Sequence, residues 1–311
     1  MEYYNNKTIV VTGGTGFIGR NLVNGLLVHR PAKIIIFDRT IKQEWPREYA
    51  TGKIDIIQGD LTCAEDMEIL RSLEFDIMFH QAAVVDTTCK DEELIKKTNV
   101  DAFIELVDIC NTRGAKLVYA SSAAVYGNSP SPNKEWEGEN PLNLYGKSKL
   151  EMDKYILRHK NMLKVPVIGL RYFNVYGCGE EHKKNMRSMV SQMAEKLNTG
   201  KLVELFEYGE QMRDFIYVGD VVACNLLAGL YEYSDVFNCG SGVAVSFNQL
   251  YGIICDYLGL YQIEGNLKYI KNNYPFFQTH TLANISRTTQ QLKFLPKYNI
   301  HSGVLEVINH I

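Results

Sequence analysis

The chain has 311 residues, 46% of them hydrophobic and 22% charged, a balance that excludes a disordered or collagen-like polypeptide and leaves room for one or two packed domains. Its formal net charge of −3 argues against a nucleic-acid partner, which calls for a clear basic excess, although a few local cations or a helix N-terminus suffice for an anionic ligand. The seven cysteines (Cys63, Cys89, Cys110, Cys178, Cys224, Cys239 and Cys255) are scattered without a C-x-x-C, which points away from a disulfide framework or a metal site and towards reduced thiols in the cytoplasm.

Along the first half, short apolar runs alternate with stretches of helical periodicity. Residues 7–12 (KTIVVT) predict a buried strand, 17–29 a helix, 33–37 (KIIIF) and 54–58 (IDIIQ) two further strands, and 65–72 a helix. Strands follow at 75–80, 116–120 and 165–170, with helices at 92–112 and 145–159 between them. Runs without polar alternation suit strands covered on both faces, and strand–helix repetition implies a doubly wound parallel sheet. The second half is less regular: a helix at 186–198 closed by Gly200, short strands at 203–206 and 236–238, and a helix at 247–258 with Ser246 as its cap. The expected class is therefore α/β. A Rossmann-type domain takes residues 1–171 and 214–242, and a smaller α/β substrate-binding lobe takes 172–213 and 243–311. The first glycine-rich motif begins within a dozen residues of Met1, so no signal peptide is expected. No apolar run approaches the ~20 residues that span a bilayer, so no membrane partner is expected.

Thr12–Gly19 (TGGTGFIG) satisfies G-x-G-x-x-G through Gly14, Gly16 and Gly19, and G-x-x-G-x-x-G through Gly13, Gly16 and Gly19. It follows a predicted strand and opens a predicted helix, the context in which backbone N–H groups and a helix dipole receive a pyrophosphate. Asp38 ends the second strand, nineteen residues past Gly19, where a carboxylate accepts ribose hydroxyls and favours NAD. Arg39 beside it suits a 2′-phosphate, so NADP stays open. Asp60 suits an adenine contact or a helix cap. Tyr145 and Lys149 form Tyr-x-x-x-Lys, one face of a helix, where the ammonium favours the phenolate. Ser122 lies 23 residues upstream, at the end of the fifth strand, and offers a hydroxyl to a reacting sugar oxygen.

GGTGFIG, Asp60–Leu61, Gln81–Ala82–Ala83, Asn99, SSAAVYG (121–127), YGKSK and RYFNVYG (171–177) stand in the order and spacing of one family. The chain resembles the extended short-chain dehydrogenases/reductases, also called NAD-dependent epimerases/dehydratases. The resemblance implies NAD or NADP held by Gly13, Gly16, Phe17, Ile18, Gly19, Asp38, Arg39, Asp60, Leu61, Gln81, Ala82, Ala83, Asn99, Tyr145, Lys149 and Val175. It makes Tyr145 the acid/base, Lys149 the ribose anchor and Ser122 the substrate's hydroxyl partner. It also implies a nucleoside-diphosphate sugar in the second lobe and a homo-oligomer. Ala123–Ala124 stand where dehydratases carry the Asp and Glu that eliminate water, which argues for redox chemistry at one carbon.

Glu180–Glu181–His182–Lys183, Met186, Ser188, LFEYG (205–209), RDFIYVGDVV (213–222) and FQTHT (277–281) are similar to the branch that epimerises ADP-glyceromanno-heptose. That similarity implies Lys183 as a second acid/base, because returning hydride to the opposite face needs proton transfer there too. A solvated loop lysine or a diphosphate anchor is the alternative reading of Lys183. Expected substrate contacts are Asp86, Thr87, Ser122, Asn174, Lys183, Asn185, Gln192, Phe206, Arg213 and Phe277. Arg213 suits a diphosphate, with an ion pair to Asp214 as its alternative, and Phe206 suits a nucleoside pocket or the core. Three departures bear on the substrate: Tyr208–Gly209 replace Gly-Ser, Phe277 replaces a tyrosine, and Asn185 replaces a serine. The expected function is an NAD(P)-dependent epimerase of a nucleoside-diphosphate heptose working through a keto sugar. Net oxidation of one hydroxyl, such as C4 of a GDP-heptose, is the alternative. A dinucleotide sensor without catalysis is disfavoured by the intact Ser122, Tyr145 and Lys149.

Overall fold

The computed structural model describes residues 2–41, 52–260, 266–272 and 278–311, with the side chains of Lys184 and Asn185 left aside. Phe277, expected to touch substrate, lies outside the described residues. In chain order the first half is β1 (Thr8–Thr12), α1 (Phe17–Leu27), β2 (Lys33–Asp38), β3 (Ile54–Gln58), α2 (Ala64–Ser72) and β4 (Ile77–His80). A long helix follows as α3 (Glu92–Ile95), a π-helical stretch Lys96–Asp101 and α4 (Ala102–Arg113). Then come β5 (Lys116–Ser122), α5 (Leu144–His159), β6 (Val167–Tyr172) and β7 (Asn174–Tyr176). The remainder is α6 (Met189–Asn198), β8 (Val203–Phe206), β9 (Met212–Tyr217), α7 (Val218–Ala228), β10 (Asp235–Cys239), β11 (Ala244–Ser246), α8 (Phe247–Leu258), β12 (Leu267–Ile270), α9 (Ser286–Leu292) and α10 (Ile300–Ile308).

Seven strands form one parallel sheet in the order β10-β6-β5-β4-β1-β2-β3. Strand order reverses between β1 and β4, the place where a ligand lies across the strands' carboxyl ends in such sheets. The apolar runs are explained by burial on both faces, as in β4 and β6, where every residue is buried. Separate apolar cores cover the two faces, one including Ile9, Val11, Leu22 and Phe79, the other Val10, Phe37, Leu106 and Met152.

The smaller lobe holds a three-stranded sheet, β11-β9-β7, and the parallel pair β12-β8. Its core brings α6, α8 and α10 together through Val190, Met193, Leu250, Ile254, Val304 and Val307. Two features differ from the sequence reading. The helix expected from 186 begins at Met189, because the Ser188 hydroxyl caps it by accepting from the Ser191 N–H at 3.2 Å; a 3-10 turn, Glu181–Met186, precedes it. Within the range 243–311 expected for the substrate lobe, Leu292 and Phe294 pack into the core of the seven-stranded sheet, so the tail returns to the first domain before α10 closes the second.

Candidate active site

The glycine loop lies between β1 and α1. Gly13 has φ +67°, and a Cβ there would stand 2.6 Å from the backbone nitrogen of Ala82, so the loop rests directly on the chain leaving β4. Gly16 caps α1 in extended conformation without a side-chain hydrogen bond. The first N–H groups of α1, those of Phe17, Ile18 and Gly19, thus receive no side-chain cap. This bare cradle at a helix start fits a dinucleotide pyrophosphate.

Asp38 closes the loop. Its Oδ2 accepts from the Thr15 N–H at 3.0 Å and the Thr15 hydroxyl at 2.7 Å, and its Oδ1 accepts from the Thr40 N–H. Arg39 is largely exposed and reaches Asp60 at 4.0 Å. Burial opposes the Asp60 charge, but hydrogen bonds from the Thr62 N–H and hydroxyl outweigh it and hold the carboxyl below its usual pKa. Leu61 is buried beside it. Gln81 accepts from the Tyr172 hydroxyl at 3.1 Å and donates to Asn225. Asn99, inside the π stretch, is fully buried: it bonds both the N–H and the C=O of Val84 and donates to the Ser148 hydroxyl. It thereby clamps the chain after Ala82–Ala83 to α5. Beneath the glycine loop, buried His80 pairs with the Thr12 hydroxyl at 2.7 Å, and burial lowers its pKa to about 3.

Tyr145 and Lys149 occupy the first turns of α5, which Asn143 caps by accepting from the Gly146 N–H. Ser122 ends β5, accepts from the Ala124 N–H at 3.1 Å and hydrogen-bonds the Tyr145 hydroxyl. The Lys149 ammonium donates to the Ala120 C=O at 2.8 Å and lies 5.9 Å from the centre of the Tyr145 ring. Burial pulls the Lys149 pKa down to about 8, against the nearby charge of Asp153. Burial likewise raises the Tyr145 phenol, with the Ser122 bond opposing it. Asp153, two turns along from Tyr145, is fully buried and accepts from Tyr119, Ser121 and Arg171. The three expected reactive groups therefore stand on one rigid corner, where β5 meets α5.

The smaller lobe carries a cleft of about 800 Å³. Its lining includes Asn174, Lys183, Gln192, Phe206 and Arg213, five of the expected substrate contacts, together with Val175. Ser122, Tyr145, Asp86 and Thr87 belong to the other lobe, at the ends of β5, α5 and β4, and are not among the cleft lining. Asp86 folds onto itself, accepting from the Thr88 N–H and hydroxyl. Arg213 is 8% exposed, and burial lowers its pKa to about 10. Adjacent strand residues face opposite ways, and Asp214 is spent on Ser241, Gly242 and Ala283 instead of Arg213.

Lys183 borders both parts. It lines the cleft, yet its ammonium stands 5.0 Å from the centre of the Phe17 ring, at the start of α1. The chain before it is tied to the same helix, because Asn21 donates to the Cys178 C=O at 3.0 Å.

Residues 9–240 match the model of the NAD dependent epimerase/dehydratase family. The chain belongs to that family. The ADP-L-glycero-D-manno-heptose-6-epimerase of Alkalilimnicola ehrlichii is 36% identical over 320 residues, covering 97% of each chain. The crystal structure of the Helicobacter pylori ADP-L-glycero-D-manno-heptose-6-epimerase superposes with a TM-score of 0.90 at 39% identity, covering 100% of this chain and 97% of that one. A UDP-N-acetylglucosamine 4-epimerase from Methanobrevibacter ruminantium superposes at 0.86 with 28% identity, covering 99% and 100%. Membership gives the glycine cradle its ligand, a NAD-type dinucleotide, and identifies the chain as an enzyme of the epimerase/dehydratase type. Among the described residues, no helix is long and apolar enough to cross a membrane.

Two groups escaped the sequence reading. Asp153 and Arg171 form a buried pair at 2.8 Å behind the reactive corner; only the eight-residue spacing from Tyr145 marks Asp153 in the sequence. Glu180 is 2% exposed and gathers five hydrogen bonds, although its setting in GEEHKK reads as a solvated charge run.

Proposed function

We propose that this protein epimerises a nucleoside-diphosphate heptose through a transient keto sugar, with NAD retained between half-reactions. The observation that carries this reading is the position of Lys183, which borders the substrate cleft and the start of the dinucleotide helix together and so supports its assignment as a second proton-transfer group. The full-length likeness to two ADP-heptose epimerases supports the same sugar class.

The chemistry NAD supplies when bound is reversible hydride acceptance. Tyr145 exchanges the hydroxyl proton of the reacting carbon, and Ser122 orients that hydroxyl by hydrogen bonding. Lys149 anchors the ribose side of the dinucleotide, and its ammonium favours the phenolate of Tyr145. Lys183 exchanges the proton when the keto sugar presents its other face. Arg213 holds the diphosphate side of the substrate, while Gln192 and Phe206 take the nucleotide end of the cleft; Asn174 and Asn185 are assigned to the sugar. Asp38 takes the adenosine ribose.

The test mixes freshly purified protein with ADP-glycero-manno-heptose of one configuration and follows the product by NMR. One inverted centre, with the released dinucleotide still oxidised by mass spectrometry, is the expected outcome. Unchanged stereochemistry in NAD-loaded protein sinks the proposal. Accumulation of a keto sugar with reduced dinucleotide, relieved only by an added oxidant, replaces it with net dehydrogenation.

A further inference from the structure

Glu180 lies in the short connection between β7 and α6, and its two carboxylate oxygens divide the surrounding donors. Oε1 accepts from the Gly177 N–H at 3.2 Å, the Ser188 hydroxyl at 2.7 Å and the Ser191 hydroxyl at 3.0 Å. Oε2 accepts from the Ser188 N–H at 2.6 Å and from the Lys183 ammonium at 3.4 Å. One buried carboxylate thus joins the end of β7, the first turn of α6 and Lys183. Gly177 is continuous with Cys178, which α1 holds through Asn21, and α6 forms a wall of the cleft through Met189 and Gln192. A charge this buried persists only when fully hydrogen-bonded, so a neutral side chain would be the cheaper means of capping α6 alone.

We propose that Glu180 is the positioning residue for Lys183. It fixes the ammonium at the seam between the dinucleotide helix and the substrate cleft, and sets it against the sugar during proton transfer. The proposal rests on the epimerase reading and on the part given there to Lys183. Without the carboxylate, the lysine's long stem has several rotamers to choose from, and only a fraction of molecules hold the ammonium in the productive place.

The experiment compares NAD-loaded wild type, Glu180→Gln, Lys183→Met and the double variant, with ADP-glycero-manno-heptose as substrate. Lys183→Met should lose roughly 100-fold in kcat, as expected when one proton-transfer group is removed. Glu180→Gln should lose at least about tenfold in kcat with KM changed less than about threefold, and the double variant should match Lys183→Met, because the two residues act as a unit. Glu180→Asp, which keeps the charge, should recover part of the lost kcat. Ser191→Ala, which removes another donor from the same carboxylate and does not line the cleft, should keep kcat. Losses that multiply in the double variant, or a raised KM at constant kcat, overturn the proposal in favour of a role limited to shaping the cleft wall.

A second readout needs no turnover. Acetic anhydride labelling followed by mass spectrometry should modify Lys183 several-fold faster in Glu180→Gln than in wild type, relative to Lys196. Equal rates overturn the proposal even where the Gln variant is partly misfolded. A wild type that turns over no heptose nucleotide sinks the epimerase reading, and the labelling result still decides whether Glu180 holds Lys183.

Discussion

At the scale of single residues, Lys149 carries its charge against its own burial. Its ammonium is buried, and its pKa falls from 10.5 to about 8. The folded chain therefore binds this proton less tightly than the unfolded chain. The penalty is fully present below pH 8 and disappears as pH rises through 10.5, and it amounts to about 3 kcal/mol at neutral pH. Lys149→Met should therefore stabilise the dinucleotide-free protein at pH 7 while abolishing turnover. Urea unfolding of both proteins from pH 7 to 10.5 should show the gap closing with rising pH; a variant less stable than wild type at pH 7 contradicts this account. Activity is thus maintained against stability at this position. The placing of Tyr145 and Lys149 on one helix and of Ser122 at a strand end was legible in the sequence because helical spacing and a strand end are local rules. Glu180 was not, because whether a carboxylate in a charged run faces water or five donors is decided by chain segments up to eleven residues away.

At the scale of elements, most strands and helices of the parallel sheet were readable to within about two residues, since apolar runs mark doubly covered strands directly; β3 is the exception, an apolar run at the sheet edge whose residues are exposed or half-buried, against the expectation of cover on both faces. The helix 247–258 was equally legible: Ser246 and Gln249 form a reciprocal capping box, a short-range signal. The break inside the helix at 92–113 left no such trace. Its π stretch turns Asn99 inward, where it bonds Val84 and Ser148. Wide turns of this kind recur at functional sites because they re-aim one side chain without ending the helix. Asn99→Ala removes three hydrogen bonds and should cost about 2 kcal/mol of stability. It should also weaken NAD binding several-fold, because Gln81–Ala83 lose their anchor. Calorimetric titration with NAD decides the point, and unaltered affinity would leave Asn99 as a packing residue only.

At the scale of the whole molecule, the two lobes share one chain that crosses between them repeatedly. β7, β9 and β11 build the small sheet, yet β10, between β9 and β11 in sequence, is the outermost strand of the large one. Sequence patterns mark elements but not partners, so the return of Leu292 and Phe294 to the first core was invisible beforehand. The second core depends on α10, where Gly303 leaves no room for a side chain against the Tyr176 hydroxyl. Gly303→Leu should force Tyr176 aside and destabilise the protein by about 1–3 kcal/mol. NAD affinity should hold while affinity for the nucleotide sugar drops; equal losses for both ligands would show that the lobes respond as one body.

The same threading has a consequence during synthesis. Six strands of the large sheet leave the ribosome before residue 173, and the seventh follows only after much of the small lobe. A nascent chain can therefore pair most of the large sheet early, but the sheet face that α7, Leu292 and Phe294 cover stays open until nearly the whole chain has emerged, and the substrate half stays open until α10 follows. A stalled or prematurely ended translation product would leave apolar surface bare on both lobes, on the sheet face that awaits Leu292 and Phe294 and on the faces of α6 and α8 that await α10, for chaperones to cover.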